Sequence, residues 1–164
     1  MNPDQFKKLL IANQKQIKRF VNNIAPDLIG DAAVNHFKEN FDKEGFVDET
    51  LKPWKEVKRR QEESSWYEFD ANKPPKYRST KRGKDKILKD TNQLQDSIEY
   101  EAKQHKVIIH SDLPYAAVHN YGQKAKIFGK KSFKMPKRQF IGHSKQLNKK
   151  IIKMLTFEIG KIIK

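Results

Sequence analysis

The chain has 164 residues, 35 of them basic and 20 acidic, for a formal net charge of +15, and it contains no cysteine. That length suits one domain with a core of its own, and the missing thiols exclude disulfides and thiolate metal sites as what holds it together. No apolar run reaches the ~20 residues a bilayer crossing needs, and no signal-peptide core opens the chain, so neither a membrane partner nor export is expected.

Asn2-Pro3 reads as a helix start, a cap followed by proline in the first turn. Phe6, Leu9, Leu10, Ile17, Phe20, Val21 and Ile24 follow at helical spacing, and Ala25-Pro26-Asp27 breaks the pattern and restarts it. Ile29, Ala33, Phe37 and Phe41 then run i, i+4, with Ala32 and Val34 beside them. This predicts a second amphipathic helix, folded back on the first as a hairpin or continuing it at an angle, with its aromatics in the core. Gly45 closes the helical pattern. Phe46 to Trp54 reads as irregular or strand-like, and the charged stretch after it carries Pro74-Pro75 and Gly83, so residues 45–86 are expected to form an extended, partly flexible arm. Trp66, Tyr67, Phe69 and Tyr77 lie among its lysines and arginines. Such a composition suits stacking on bases or anchoring on a neighbouring subunit.

Asp90 or Thr91 is placed to cap a short helix whose apolar side is Leu94 and Ile98. Two β-prone pieces follow, Glu99 to Lys103 and Lys106 to Ser111, around a two-residue turn at Gln104-His105. Pro114 opens another short helix carrying Tyr115, Val118 and His119, and Gly122 is its stop. From there to Met135 a mobile basic loop is expected; its Gly129-Lys130 has neither the spacing nor the preceding strand of a phosphate-binding loop. Pro136 to Gly142 should be extended, with Arg138 and Phe140 sharing a face. His143 or Ser144 then opens a terminal helix striped by Leu147, Ile151, Met154, Leu155, Ile159, Ile162 and Ile163. That stripe is expected to pack on the N-terminal helix rather than lie on a membrane surface. The predicted architecture is one α+β domain over residues 1–164, a small antiparallel β-sheet flanked by N-terminal helices and a long C-terminal helix, with extended basic loops.

Charge is unevenly spread. Thirteen basic residues and one acid, Glu158, fall between Gln123 and Lys164, so +12 of the excess sits there. Such asymmetry points to a polyanionic neighbour, nucleic acid or acidic protein, or to a lysine-rich solvated face. The chemistry-bearing residues are sparse. None of the five histidines pairs with another at i, i+4, and only His119 lies in a motif, where it reads as a structural hydrogen-bonding group. Asp96, Glu101 and Lys103 are the sharpest catalytic candidates, as a Mg²⁺-dependent nuclease, at a spacing common by chance in such a chain. No cofactor or metal is expected, and Arg138 reads as a fixed ion pair or an interface contact.

Three motifs stand in order over residues 87–142: Asp90-Thr91-x-x-Leu94-x-x-Ser97-Ile98, Pro114-Tyr115-Ala116-x-x-His119-x-x-Gly122 and Pro136-x-Arg138-x-Phe140-Ile141-Gly142. Together they resemble the phage virion morphogenesis family, the tail-completion proteins of contractile-tailed, Mu-like phages and prophages, and Trp54 resembles that family's upstream tryptophan. The chain departs from the pattern at Asn92, where the family usually has glycine, and at Asn120, where it favours glutamine. Asparagine tolerates positive φ, so the first change is mild. The resemblance implies a non-enzymatic protein that completes or caps the tail or joins it to the head. Its partners would be tail or head-neck proteins and further copies of itself in a ring, in the host cytoplasm during assembly and then in the virion. It also implies that Tyr115, His119, Gly122, Arg138 and Phe140 shape the fold or the contact surface. Trp54 joins that set, with Trp66 and Tyr67 as anchors on the arm. A sequence-independent DNA-binding protein, using the basic arm and C-terminal segment, is the alternative from composition, and the nuclease is a third.

Overall fold

A capping box opens the chain: Asn2 Oδ1 accepts from the Asp4 N–H at 2.9 Å and Gln5 Oε1 from the Asn2 N–H at 3.3 Å, launching α1 (Pro3–Arg19). The structure is a computed structural model that describes residues 2–64, 85–127 and 131–163. Pro26 does not fold the chain back. One wide helical turn over Phe20–Ile24 absorbs the irregularity, and the backbone runs on into α2 (Ala25–Asp42). Pro26 sits in the first turn of α2, where its missing N–H costs no helical hydrogen bond.

Helix α2 is the element the rest packs around. Its Ala33, Phe37 and Phe41 are buried with Phe46, Trp54, Ile87, Leu94, Ile98, Ala116, Phe140 and Leu147 in one core. β1 (Gly45–Val47) and β2 (Leu51–Pro53) form an antiparallel hairpin that delivers Phe46, Val47 and Trp54 into that core. Within the first ten residues of the expected arm, Gly45, Phe46, Val47 and Trp54 are buried, while β2 itself is exposed. The remainder of the arm, with Trp66, Tyr67, Phe69 and Tyr77, lies outside the described residues.

The chain rejoins α2 at Ile87. Asn92 takes the cap position of α3 (Gln93–Asp96) at φ 60°, the left-handed conformation that glycine would adopt there. β3 (Glu99–Lys103) and β4 (Lys106–His110) pair antiparallel from Glu99↔His110 to Lys103↔Lys106, with His105 at φ 59° in the turn. This hairpin lies against α2, where Gly30 leaves room for the Tyr100 ring; a β-carbon at that position would overlap it. α4 (Ala116–Tyr121) ends at Gly122, φ 68°.

Where a mobile basic loop was expected, β5 (Lys124–Ile127) and β6 (Lys131–Lys134) make a third hairpin. The alternation Lys124-Ala125-Lys126-Ile127 is a strand pattern that the density of lysine obscures. Ser144 then caps α5 (Lys145–Ile162), accepting the Leu147 N–H at 3.1 Å, and α5 packs on α2 and α1. The α+β class and the flanking helices are as the sequence implies. The β-structure, among the described residues, is three separate two-stranded hairpins rather than one sheet.

Candidate functional site

The extended segment 136–142 is stitched into the molecule by side chains bonding its backbone. Asn40, fully buried, donates Nδ2–H to the Phe140 carbonyl at 3.0 Å and accepts the Val47 N–H at 3.1 Å. Asn120 accepts the N–H groups of Phe140 and Ile141 at 2.8 and 3.0 Å and donates to the Ile141 carbonyl at 3.1 Å. Trp54 Nε1–H donates to the Gln139 carbonyl at 2.7 Å, and the Arg138 N–H donates to the His119 carbonyl at 2.8 Å. Between these bonds the Phe140 ring lies 5.2 Å from Phe41, which meets Trp54 edge-on at 5.5 Å. A chain without regular partners thereby satisfies its buried amides.

Gly122 makes the approach of α4 to that segment possible. Its φ of 68° is left-handed, and a β-carbon there would stand 2.9 Å from Lys137 Cβ and 3.0 Å from the Lys137 backbone. Both conditions select glycine.

Arg138 is only 6% exposed. Its Nε and Nη2 both donate to the Lys55 carbonyl, at 3.1 and 3.0 Å. A backbone carbonyl fixes it, and among the described residues no carboxylate lies within ion-pair distance of its guanidinium. Burial pushes its pKa down, and the neighbouring Arg59 pushes the same way. His119, on α4, is likewise held below the ordinary imidazole value by burial and then by Arg138, and its buried Nδ1 has no hydrogen-bond partner. Tyr115 covers the imidazole edge-on, ring centres 6.1 Å apart, and is itself 38% exposed.

The first motif supplies the facing wall. Leu88, Thr91 and Leu94 join Tyr115, His119 and Arg138 around one open cleft of about 450 Å³. Three motifs separated in the chain thus meet at one place. Of the sequence-predicted residues, Trp54, Gly122 and Phe140 lie within the core and its turns, Tyr115, His119 and Arg138 line the cleft, and Trp66 and Tyr67 fall outside the described residues. Glu101 and Lys103 pair with each other at 3.1 Å on the solvent side of β3, each more than half exposed, while Asp96 belongs to α3.

Two residues central to this arrangement were not singled out by sequence reasoning. Asn40 had a signal, since it is a polar residue on the same helical face as Phe37 and Phe41. Glu44 had none within reach. It receives a two-pronged bond from Arg60, at 2.7 and 3.2 Å, and the Ile87 N–H, closing the base of the 45–86 excursion across 16 and 43 residues.

Fold and cleft together define a small α+β scaffold domain in which three motifs are bound to one another through buried backbone contacts. Residues 9–159 match the model of the phage virion morphogenesis family, which is nearly the whole chain, and the protein belongs to that family. Its role therefore lies in building the phage particle. Neither a curated protein nor a solved structure matches the chain.

Proposed function

We propose that the protein acts without catalysis to complete or cap the phage tail, or to join it to the head, by binding further copies of itself in a ring and docking on tail or neck proteins. The observation that carries this reading is α1. The helix is 17 residues long and buries none of them; Phe6, Leu9, Leu10 and Ile11 are 40–56% exposed. An amphipathic helix used only within its own chain would bury that face. Contiguous exposed apolar surface of this kind marks contact with another chain. The face continues through Ile17 and Val21 to Ile163 beyond α5, forming a shallow apolar groove. Light scattering of the purified chain, alone and with tail tubes, tests the reading. Leu10→Glu should leave the melting transition where it was and abolish association; a variant that still associates like the parent would contradict it.

A second reading has its own observation. In the β5–β6 hairpin Lys124 and Lys134 stand directly opposite each other, both exposed. Like charges facing across a hairpin repel, and a polyanion would relieve that. Sequence-independent DNA binding through this hairpin predicts a mobility shift that falls steeply with salt. Replacing both lysines by glutamine should shallow the log–log salt slope by about 2. An unchanged slope would remove this reading.

A further inference from the structure

The cleft where the three motifs meet holds two features that the chain itself does not resolve. Arg138 is a buried guanidinium with no carboxylate of the described residues within ion-pair distance, Glu56 acting on it only from farther off, and burial of a cation without a close counter-charge is unfavourable. Its Nη1 donates no hydrogen bond to any described residue. Beside it, His119 Nδ1 is buried without a partner, and buried polar atoms in folded proteins are otherwise nearly always satisfied. We propose that this cleft is a receptor for a single carboxylate, an aspartate or glutamate side chain presented by another protein of the particle. The naming of a virion protein as its source rests on the assembly role proposed above.

The chemistry of the walls selects this occupant. The Nη1 edge of the guanidinium, left over from the Lys55 carbonyl and set beside the imidazole, suits a planar carboxylate. Leu88, Leu94 and Ile87 offer an apolar lining for its aliphatic stem, and Tyr115 stands at the mouth with its hydroxyl-bearing ring partly in solvent. Asp85 and Asp90 also line the cleft. Arg59 and Lys89 line it as well and balance those two charges, which leaves the single positive charge of Arg138 in excess: it matches one carboxylate, whereas a phosphate or a nucleic-acid backbone would bring more charge than it offsets. A second copy of this chain is the less suitable source, because its surface is rich in lysine and poorer in carboxylates, and the ring contact proposed above is assigned to the α1 face instead.

The experiment is an NMR titration of the full chain, following the Arg138 Nε–H and His119 ring signals. The probe is acetyl-Leu-Glu-Leu-amide, its control the glutamine twin, and a third arm uses inorganic phosphate. The glutamate peptide should move both signals to saturation, and neither the twin nor phosphate should do so at the same concentration. Arg138 fixes the Lys55 carbonyl, so its own replacement risks the fold. Thr91→Glu instead places a carboxylate on the exposed rim of the cleft and should weaken the peptide at least tenfold without lowering the melting temperature. Equal shifts with the twin or with phosphate, shifts confined to the β5–β6 and α5 lysines, or unchanged affinity in Thr91→Glu would each overturn the proposal. Because the titration concerns the isolated chain, such a failure would leave the assembly role standing. Failure of that role in particle assays would leave the carboxylate site standing.

Discussion

Asn40 and Asn120 each satisfy backbone groups from two sides, and both are buried to 4% exposure or less. Replacing Asn40 by leucine would leave the Val47 N–H and the Phe140 carbonyl without partners in the core. At about 1–3 kcal/mol for each stranded group, a loss of roughly 2–5 kcal/mol is expected, read as a lower urea midpoint with an unchanged slope. Glu44 allows a charge-specific test. The Arg60 bond holds its carboxyl below the ordinary value of 4.5 against the opposing cost of burial, and the Ile87 N–H adds a lesser push in the same downward direction. A depressed carboxyl contributes stability that is complete above its unfolded pKa and is lost as pH falls through the lowered folded value. Glu44→Gln keeps the backbone geometry and removes that contribution. It should cost about 1–2 kcal/mol at pH 7 and flatten the acid limb of the stability curve below pH 4.5. Parallel acid limbs in parent and variant would contradict the role given to this pair. At this scale the sequence was legible where a residue's neighbours in the chain determine it. Gly122 and the left-handed Asn92 are such cases. Glu44 and Arg138 were not legible, because the groups that bind them come from 16 to 83 residues away.

Among the elements, the β3–β4 hairpin followed from pattern alone, since its strands alternate around a turn that only two residues can make. The capped ends of α1, α4 and α5 followed for the same reason: Asn2, Gly122 and Ser144 act on groups one turn away. Two elements were hidden. β1–β2 looked like the start of an arm because its strands are three residues each, too short for periodicity, and only β1 is buried, against α2. β5–β6 looked like a loop because lysine dominated its composition. The turn after α4 gives a direct check on the packing: Gly122→Ala must strain a left-handed residue and press on Lys137. A loss of roughly 1–3 kcal/mol is expected in thermal unfolding, and an unchanged transition would mean that segment 136–142 can move aside. The α1 face belongs to this scale too. Its amphipathic pattern was legible, but what covers it is not encoded in the chain's own contacts.

For the molecule as a whole, the core is ordinary and the surfaces are not. The molecule presents an apolar helix face, a lysine hairpin and, between the motifs, a cleft with a buried guanidinium that has no described carboxylate within ion-pair distance. Such surfaces suit a part that is finished by its neighbours, which is consistent with membership of a virion morphogenesis family. The most direct test is reconstitution in a phage or prophage lacking this chain. Finished heads and tails should accumulate apart, and added protein should restore joined particles only in proportion to the copies that mass spectrometry then finds in them. Restoration by trace amounts that leave no protein in the particle, or normal particles in its complete absence, would contradict a structural role.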